Sequence, residues 1–420
     1  MGRTLAEKIL LAHTDAADVA PGEIVMVRCD VVMANDVSGP VAFRQLAEMG
    51  VDRVFDPEKV VMVADHFMPA KDAKSAELQR RLKEWSQAQG VAFYDQGRGG
   101  IEHAVLVEDG WVVPGSVVAG GDSHTCTHGA LGAFGTGLGS TDIAGCLAFG
   151  EFWQTVPGTI QVEYTGTRRP FVTGKDMILA VIAELGVGGG TGHVLELGGD
   201  AAASLTIDER LAVANLAVEA GSETGLFPAD GVTAAYLEGR TSRPWSAERS
   251  DPDAEVARRL RLDVGSVGPL IALPHSPGNV VALEEAKGRR IDQVYVGNCA
   301  NGTLTDLRQA AEILRGRTVH PGCRLIVVPA TQRIYREALA EGLLGVFVDA
   351  GGMVSTPTCG ACFGGGMGVL AAGENALATT NRNFRGRMGS PEAGVHLANA
   401  WVAAAAAVAG EIVHPEDVLG

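Results

Sequence analysis

The feature that most constrains this fold is an alternation of short, apolar, β-branched runs with segments of helical character. Helical segments such as residues 307–316 and 333–344 separate several of the runs. This alternation is typical of parallel sheets covered by helices, so we predict an α/β protein. The runs that we interpret as strands cover residues 22–29, 60–66, 116–124, 293–299, 323–330 and 344–352.

Composition and charge narrow the class of function. The chain has 420 residues, of which 46% are hydrophobic, so it is long enough for two or three compact domains. Its net charge of −16 argues against a nucleic-acid partner or an anionic membrane surface. Residues 1–19 carry charges throughout and lack the apolar stretch of a signal peptide, so we expect a cytoplasmic location. An anionic substrate would need a locally basic pocket.

Chemically reactive residues stand at the ends of several apolar runs. In open parallel sheets, ligands bind outside the carboxyl ends of the strands. We therefore expect separate segments of the chain to converge on one site. The residues concerned are, in chain order, Asp65, His66, Asp122, His124, Cys299 and Cys359.

The cysteines give the strongest local pattern. Cys359 and Cys362 stand in a Cys-Gly-Ala-Cys motif, and Cys299 follows the apolar run at 293–299. Two thiolates at this spacing can bind one metal ion or cluster, although the same motif also occurs in half zinc sites, redox pairs and protein cores. A cluster held by three cysteines would leave one iron open to act as a Lewis acid on substrate. A zinc site of three cysteines and one histidine is the competing interpretation.

Several longer motifs, taken together and in this order, resemble the aconitase superfamily. They lie at residues 65–77, 121–129, 299 with 359–362, and 379–389. Within the superfamily they are most similar to large subunits of the 3-isopropylmalate dehydratase and homoaconitase type. The resemblance implies three α/β/α-layered domains with mainly parallel sheets around a 4Fe–4S cluster, and no swivelling domain. The boundaries that we expect are residues 1–157, 158–285 and 286–420.

The resemblance also assigns roles to individual residues. Cys299, Cys359 and Cys362 match the family's cluster ligands. Three histidine–carboxylate pairs match its catalytic groups, and a carboxylate beside an imidazole favours the charged form that can deliver a proton. These pairs are Asp65 with His66, His103 with Asp122, and His124 with Glu219. The expected substrate-binding residues are Ser123, Asn215, Arg382 and Arg387.

The activity implied by the resemblance is that of a hydro-lyase that isomerises a 2-alkylmalate by dehydration and rehydration. The expected substrate is 3-isopropylmalate, in leucine biosynthesis, with homoaconitate or another substituted malate as alternatives. The implied cofactor is a 4Fe–4S cluster in which one iron lacks a protein ligand. The implied partner is a small subunit that carries the swivelling domain and the catalytic base. From another class of function, a non-catalytic iron–sulfur or zinc-organised binding protein remains an alternative.

Overall fold

The computed structural model describes residues 2–420, in which strands and helices alternate along most of the chain. The strands are β1 (Ile24–Arg28), β2 (Val31–Asn35), β3 (Val60–Val63), β4 (Ala92–Tyr94), β5 (Val117–Gly120), β6 (Phe134–Gly137), β7 (Glu151–Thr155), β8 (Gly158–Thr165), β9 (His193–Gly198), β10 (Gly225–Leu226), β11 (Arg258–Asp263), β12 (Leu270–Ala272), β13 (Val280–Ala282), β14 (Gln293–Gly297), β15 (Arg324–Val328), β16 (Met353–Val354), β17 (Asn375–Ala378) and β18 (Gly394–Leu397).

The helices occupy most of the intervals between strands. The α-helices are α1 (Leu5–Ala12), α2 (Gly39–Glu48), α3 (Ala73–Gln89), α4 (Glu102–Glu108), α5 (Ser140–Phe149), α6 (Gly174–Leu185), α7 (Asp200–Ala203), α8 (Ile207–Asn215), α9 (Gly231–Leu237), α10 (Leu283–Ala286), α11 (Asn298–Asn301), α12 (Leu304–Leu314), α13 (Gln332–Ala340), α14 (Leu343–Asp349), α15 (Ala400–Ala409) and α16 (Glu416–Leu419). The 3-10 helices are Pro57–Lys59, Ser123–Leu131, Leu216–Ala220 and Gly360–Phe363. No helix within residues 2–420 is both long enough and apolar enough to cross a membrane.

The first sheet is parallel and has the strand order β4-β3-β2-β5-β6. Every residue of β2, β3 and β5 is buried, as expected for strands that are covered by helices on both faces. Because these strands run in the same direction, the loops that follow them emerge at the same edge of the sheet. These loops begin at Asp36, Ala64 and Gly121.

The second and third sheets organise the rest of the chain. The second is parallel, with the order β10-β9-β8-β11. The third has the order β13-β12-β18-β17-β14-β15-β16, in which the five strands from β18 to β16 are parallel and β12 and β13 are antiparallel. The predicted α/β class with mainly parallel sheets is confirmed. The three domain boundaries stay a prediction.

Two strand predictions were wrong in detail. Residues 22–29 contain β1, but β1 pairs antiparallel with β7 in a separate two-stranded sheet, and its residues alternate between exposed and buried. Residues 344–352 were predicted as a strand, whereas most of them lie in helix α14. Leu343, Leu344 and Phe347 are the buried residues of that helix and Val348 is exposed, which is the spacing of one helical face.

Candidate active site

Loops from two different sheets meet directly at the site. The Cys359 backbone N–H donates a 2.9 Å hydrogen bond to the carbonyl oxygen of Asp65, and the Thr358 hydroxyl donates a 3.0 Å bond to the same oxygen. Asp65 follows β3 of the first sheet, whereas Cys359 precedes the 3-10 helix Gly360–Phe363, next to the third sheet. The predicted convergence of strand-end residues is therefore present.

The turn after β14 places Cys299. A Cβ atom on Gly297 would lie 2.4 Å from the Val328 carbonyl oxygen, so only glycine fits there without a shift of the backbone. Asn298 follows with a φ of 88°, in the left-handed region that asparagine tolerates better than most residues. Its side-chain oxygen accepts the Ala300 N–H at 2.8 Å. This short turn holds the Cys299 sulfur in the buried space between the sheets.

Amide groups surround the cysteine sulfurs. The Asn215 side-chain N–H donates to Cys299 Sγ at 3.1 Å, and Asn381 donates to the same sulfur at 3.3 Å. Asn298 donates to Cys362 Sγ at 3.2 Å. N–H donors stabilise negative charge on sulfur, and such hydrogen bonds are among the factors that tune iron–sulfur clusters. This environment therefore fits a set of thiolate ligands.

The three candidate sulfurs do not form one compact group. The ligand atoms of Cys299, Cys359 and Cys362 do not all lie within 4.8 Å of one another in the described chain. Their spacing leaves both an iron–sulfur cluster and a zinc ion as candidate occupants.

Charge is distributed unequally among the cysteines. A hydrogen bond from Cys359 lowers the pKa of Cys362 to about 5, against the effect of burial, and the positive charge of Arg387 helps. The same bond and burial raise the pKa of Cys359 well above its usual value. Burial and the negative charge of Cys362 raise the pKa of Cys299. A thiophilic metal group would therefore displace protons from Cys299 and Cys359 on binding.

Asp122 is the centre of the histidine network. His66 Nδ1 lies 2.6 Å from Asp65 Oδ1, and His66 Nε2 lies 3.7 Å from Asp122 Oδ2. His103 Nε2 lies 2.9 Å from Asp122 Oδ1. Burial alone would lower the pKa of His66, but the charge of Asp65 and the hydrogen bonds of both carboxylates raise it well above its usual value. Burial would raise the pKa of Asp122, but hydrogen bonds from the histidines hold it well below its usual value.

The third predicted pair is joined to an arginine. His124 Nε2 lies 2.9 Å from Glu219 Oε1, and Arg382 Nε donates to the same oxygen at 2.7 Å. Arg382 Nη1 also donates to the Ser123 hydroxyl at 2.9 Å. Burial would lower the pKa of His124, but its hydrogen bonds to Asp122 and Glu219 raise it. All three predicted histidine–carboxylate pairs are thus within hydrogen-bonding distance, while their catalytic roles stay a prediction.

Arg387 lies on the cysteine side of the site. Its Nε atom is buried and has no hydrogen-bond partner within residues 2–420. Burial would lower the pKa of its guanidinium group, but the charges of Cys362 and Cys359 raise it. The side chain therefore holds a desolvated positive charge beside the thiolates, with donor capacity left for an anion.

The structure adds four residues that the sequence analysis missed. Asn381 contacts Cys299 and also donates to the Asn215 side-chain oxygen at 3.0 Å. Asn298 contacts Cys362 as described above. Asp36 accepts the backbone N–H groups of His66 and Phe67, each at 3.0 Å. It directly follows the buried run of β2, so the rule about strand ends could have found it.

The fourth missed residue is Glu102, which is fully buried between the histidines. Its Oε1 accepts a hydrogen bond from Asn35 at 2.9 Å, and its Oε2 has no partner within the described residues. Burial and the charges of Asp65 and Asp122 raise its pKa well above the usual value, which favours the neutral form. Its position immediately before His103 was the signal available in the sequence.

Comparisons with known proteins agree with this geometry. Residues 7–410 match the model of the aconitase family (aconitate hydratase). The chain is 72% identical over 418 residues to "3-isopropylmalate dehydratase large subunit 2" of Rubrobacter xylanophilus, which covers 100% of this chain and 99% of that protein. It is 51% identical to the "3-isopropylmalate dehydratase large subunit" of Moorella thermoacetica, over 100% of both chains.

A solved structure supports the fold. Aconitase X of Thermococcus kodakaraensis, in its holo-form, aligns with a TM-score of 0.54 at 13% identity and covers 92% of each chain. At that identity the similarity concerns the fold alone. The family match over almost the whole chain, together with relatives of high identity over their full length, leads to one conclusion: the chain belongs to the aconitase family.

Proposed function

We propose that this chain is the large, cluster-binding subunit of a 3-isopropylmalate dehydratase, a hydro-lyase that isomerises its substrate by removing and re-adding water. The observation that carries this proposal is the direct hydrogen bond between Cys359 and Asp65, which brings a three-cysteine set against the histidine–carboxylate network. Relatives that are 46–72% identical to the chain, over 98–100% of their length, bear the corresponding name.

The proposed ligands of a 4Fe–4S cluster are Cys299, Cys359 and Cys362. When bound by three protein ligands, such a cluster supplies one iron as a Lewis acid for the substrate hydroxyl. The amide groups of Asn215, Asn298 and Asn381 would then donate hydrogen bonds to ligand sulfurs, as they do to the cysteines now. Zinc is the competing occupant, and metal analysis of the reconstituted chain separates the two.

His66 is the proposed proton donor to the departing hydroxyl. Asp65 binds its Nδ1 atom, so the proton that can be transferred is on Nε2. The raised pKa of His66 keeps that proton in place at neutral pH. Nearby Asp122 is anionic and can accept a hydrogen bond from the proton before it is transferred.

The arginines are the proposed carboxylate ligands. Arg382 uses its Nε and Nη1 atoms on Glu219 and Ser123, which fixes its orientation. The remaining N–H groups can bind a substrate carboxylate. Arg387 has a buried, unpartnered Nε for a second one. Together they give an acidic protein the local positive charge that an anionic substrate requires.

Reconstitution of the chain with iron and sulfide under anaerobic conditions tests the proposal. We expect about four irons per wild-type chain, and loss of most of the cluster in Cys299→Ser, Cys359→Ser and Cys362→Ser, because serine is a poor cluster ligand. The measurements are iron counting, absorbance and electron paramagnetic resonance. Cys323→Ser is the matched control, since Cys323 is a buried cysteine that packs with the helices of the third sheet.

The result that contradicts the proposal is also specific. A wild-type chain that binds one zinc ion and no iron would support a zinc-organised binding protein. A full cluster in all three serine variants would place the ligands elsewhere in the chain.

A further inference from the structure

We propose that Lys175 is a positioning residue of this site: its buried ammonium group fastens the segment that carries Asn381 and Arg382 to the Cys299 turn, and places a positive charge behind the cysteines. This inference deepens the proposed function and rests on it for the part that concerns the cluster. The part that concerns the position of the segment does not need a cluster.

Lys175 stands where a lysine is costly. It is 0% exposed and lies in the first turn of α6, where the partial positive charge of the helix end repels a cation. Within residues 2–420, no carboxylate oxygen lies within 4.0 Å of its Nζ atom. Buried lysines without an ion pair are rare, so neither the stability of α6 nor a salt bridge accounts for the residue.

The Lys175 ammonium group has three hydrogen-bond acceptors, which lie in the segment before Asn381 and in the turn that contains Cys299. Nζ donates to the backbone oxygens of Thr379 at 2.9 Å and Thr380 at 2.5 Å. It also approaches the side-chain oxygen of Asn301 at 3.3 Å. Asn301 ends α11, the short helix that contains Cys299. One side chain thus joins the end of β17 to the turn after β14.

The residues that follow these carbonyls contact the reactive groups. Asn381, next after Thr380, donates to Cys299 Sγ at 3.3 Å. Arg382 follows and binds Glu219 and Ser123. If Lys175 were removed, the two carbonyls would lose their donor in a buried space, and the segment would have to move or bind water.

Electrostatics supports the second part of the proposal. Burial lowers the pKa of Lys175 to about 8, while the negative charges of Asp306, Cys362 and Cys299 oppose the decrease. The group is therefore still protonated at pH 7. The cation lacks a carboxylate in direct contact, so Asp306 and the cysteines, or a cluster that they hold, compensate it at longer range.

The first test measures the position of the segment in the metal-free full chain. We expect Lys175→Met to accelerate amide hydrogen exchange in residues 379–387 by about tenfold or more, because a buried, charge-assisted anchor is lost. Lys175→Gln keeps a side-chain N–H for one carbonyl and should give a smaller increase. Lys287→Met is the control, because Lys287 has an exposed ammonium group paired with Asp417. Thermal unfolding of each variant shows whether the fold is intact, and if Lys175→Met does not fold, Lys175→Gln serves as the test.

The second test measures the charge, with the cluster reconstituted. We expect Lys175→Met and Lys175→Gln to have a lower cluster reduction potential than wild type or Lys287→Met, since a nearby cation favours the more negative, reduced state. The readout is electron paramagnetic resonance during a redox titration. Unchanged exchange in residues 379–387 overturns the positioning role, and an unchanged potential in both neutral variants overturns the charge role. A wild-type chain that takes up no iron instead contradicts the proposed function, and the exchange experiment still decides the positioning role.

Discussion

Asp122 connects the three histidines of the site. Besides His66 and His103, its Oδ1 atom lies 3.4 Å from His124 Nδ1. One low-pKa carboxylate thus stabilises positive charge on the imidazoles of His66 and His124. A carboxylate so placed orders the proton donors of the site.

The arginine segment offers a prediction with a matched control. We expect Arg382→Lys to leave the cluster intact and to lower kcat/KM roughly thirtyfold or more, which corresponds to a loss of about 2 kcal/mol of transition-state stabilisation. The reason is that an ammonium group cannot hold Glu219, Ser123 and a carboxylate at once. Arg385→Lys is the control, since the one hydrogen bond of the Arg385 side chain within residues 2–420 is to the Pro391 carbonyl oxygen at the surface. Steady-state kinetics of the complete enzyme, with iron counting, gives both values. Equal kinetics in the two variants would mean that Arg382 does not bind substrate.

Single residues also show where sequence reasoning ends. Each of the predicted pairs could be located because at least one of its members belongs to a long motif, at residues 65–77 or 121–129. Asn298 and Glu102 were missed, because the importance of Asn298 depends on a left-handed turn and that of Glu102 on burial among other acids, so that its place beside His103 was the single available signal. Neither property leaves a pattern in a single sequence.

At the scale of elements, the 3-10 helix Ser123–Leu131 is the part that joins the first and second sheets at the site. It contacts α8, which carries Asn215, and β10 of the second sheet. The Gly129 carbonyl accepts the Phe227 N–H at 2.8 Å, and a Cβ atom on Gly129 would lie 2.0 Å from the Gly225 carbonyl oxygen. Close approach of two backbones therefore keeps His124 near Glu219.

This contact predicts opposite effects for two glycine substitutions. We expect Gly129→Ala to lower the free energy of unfolding by about 1–3 kcal/mol, because backbone must move to admit the methyl group. Gly145→Ala should be neutral or raise it by about 0.5–1 kcal/mol, since Gly145 lies inside α5 and an added Cβ would meet no atom within 4 Å. Urea unfolding of the metal-free chain measures both. Equal stability of the two variants would show that the 3-10 helix can shift freely.

The elements differ in how well the sequence predicts them. The fully buried strands β3, β5 and β14, and β15, which is buried except at Arg324, follow from continuous apolar runs. Helix α14 does not, because a short apolar run can be read as a strand or as one face of a helix, and only its packing decides. Strand β1 was found, but its antiparallel partner β7 lies far along the chain and was not.

For the whole molecule, the site is assembled from all three large sheets. The first contributes the loops with Asp65 and Asp122, and the third contributes those with Cys299 and Arg382. Asn215, at the end of α8, comes from the segment that forms the second sheet. Since each group is fixed by a separate part of the chain, small relative movements would change several contacts at once. Exposed apolar side chains also stand close in sequence to the cysteine and arginine motifs, at Met367, Val369 and Phe384.

The last prediction concerns the proposed small subunit. Loss of water requires a base for a weakly acidic C–H bond, held within hydrogen-bonding distance of the substrate. The serine of the site, Ser123, already binds Arg382 through its hydroxyl, and His66 and His124 are paired with carboxylates that favour their protonated forms. The relatives are named large subunits, so we expect a small subunit to supply the base and to close the pocket.

The chain alone, even with a full cluster, should therefore be inactive, and a small subunit should restore turnover. The assay follows the absorbance of the unsaturated intermediate with each subunit separately and with both, on 3-isopropylmalate and, for comparison, on homoaconitate and other substituted malates. Full turnover by the 420-residue chain alone would show that it carries its own base.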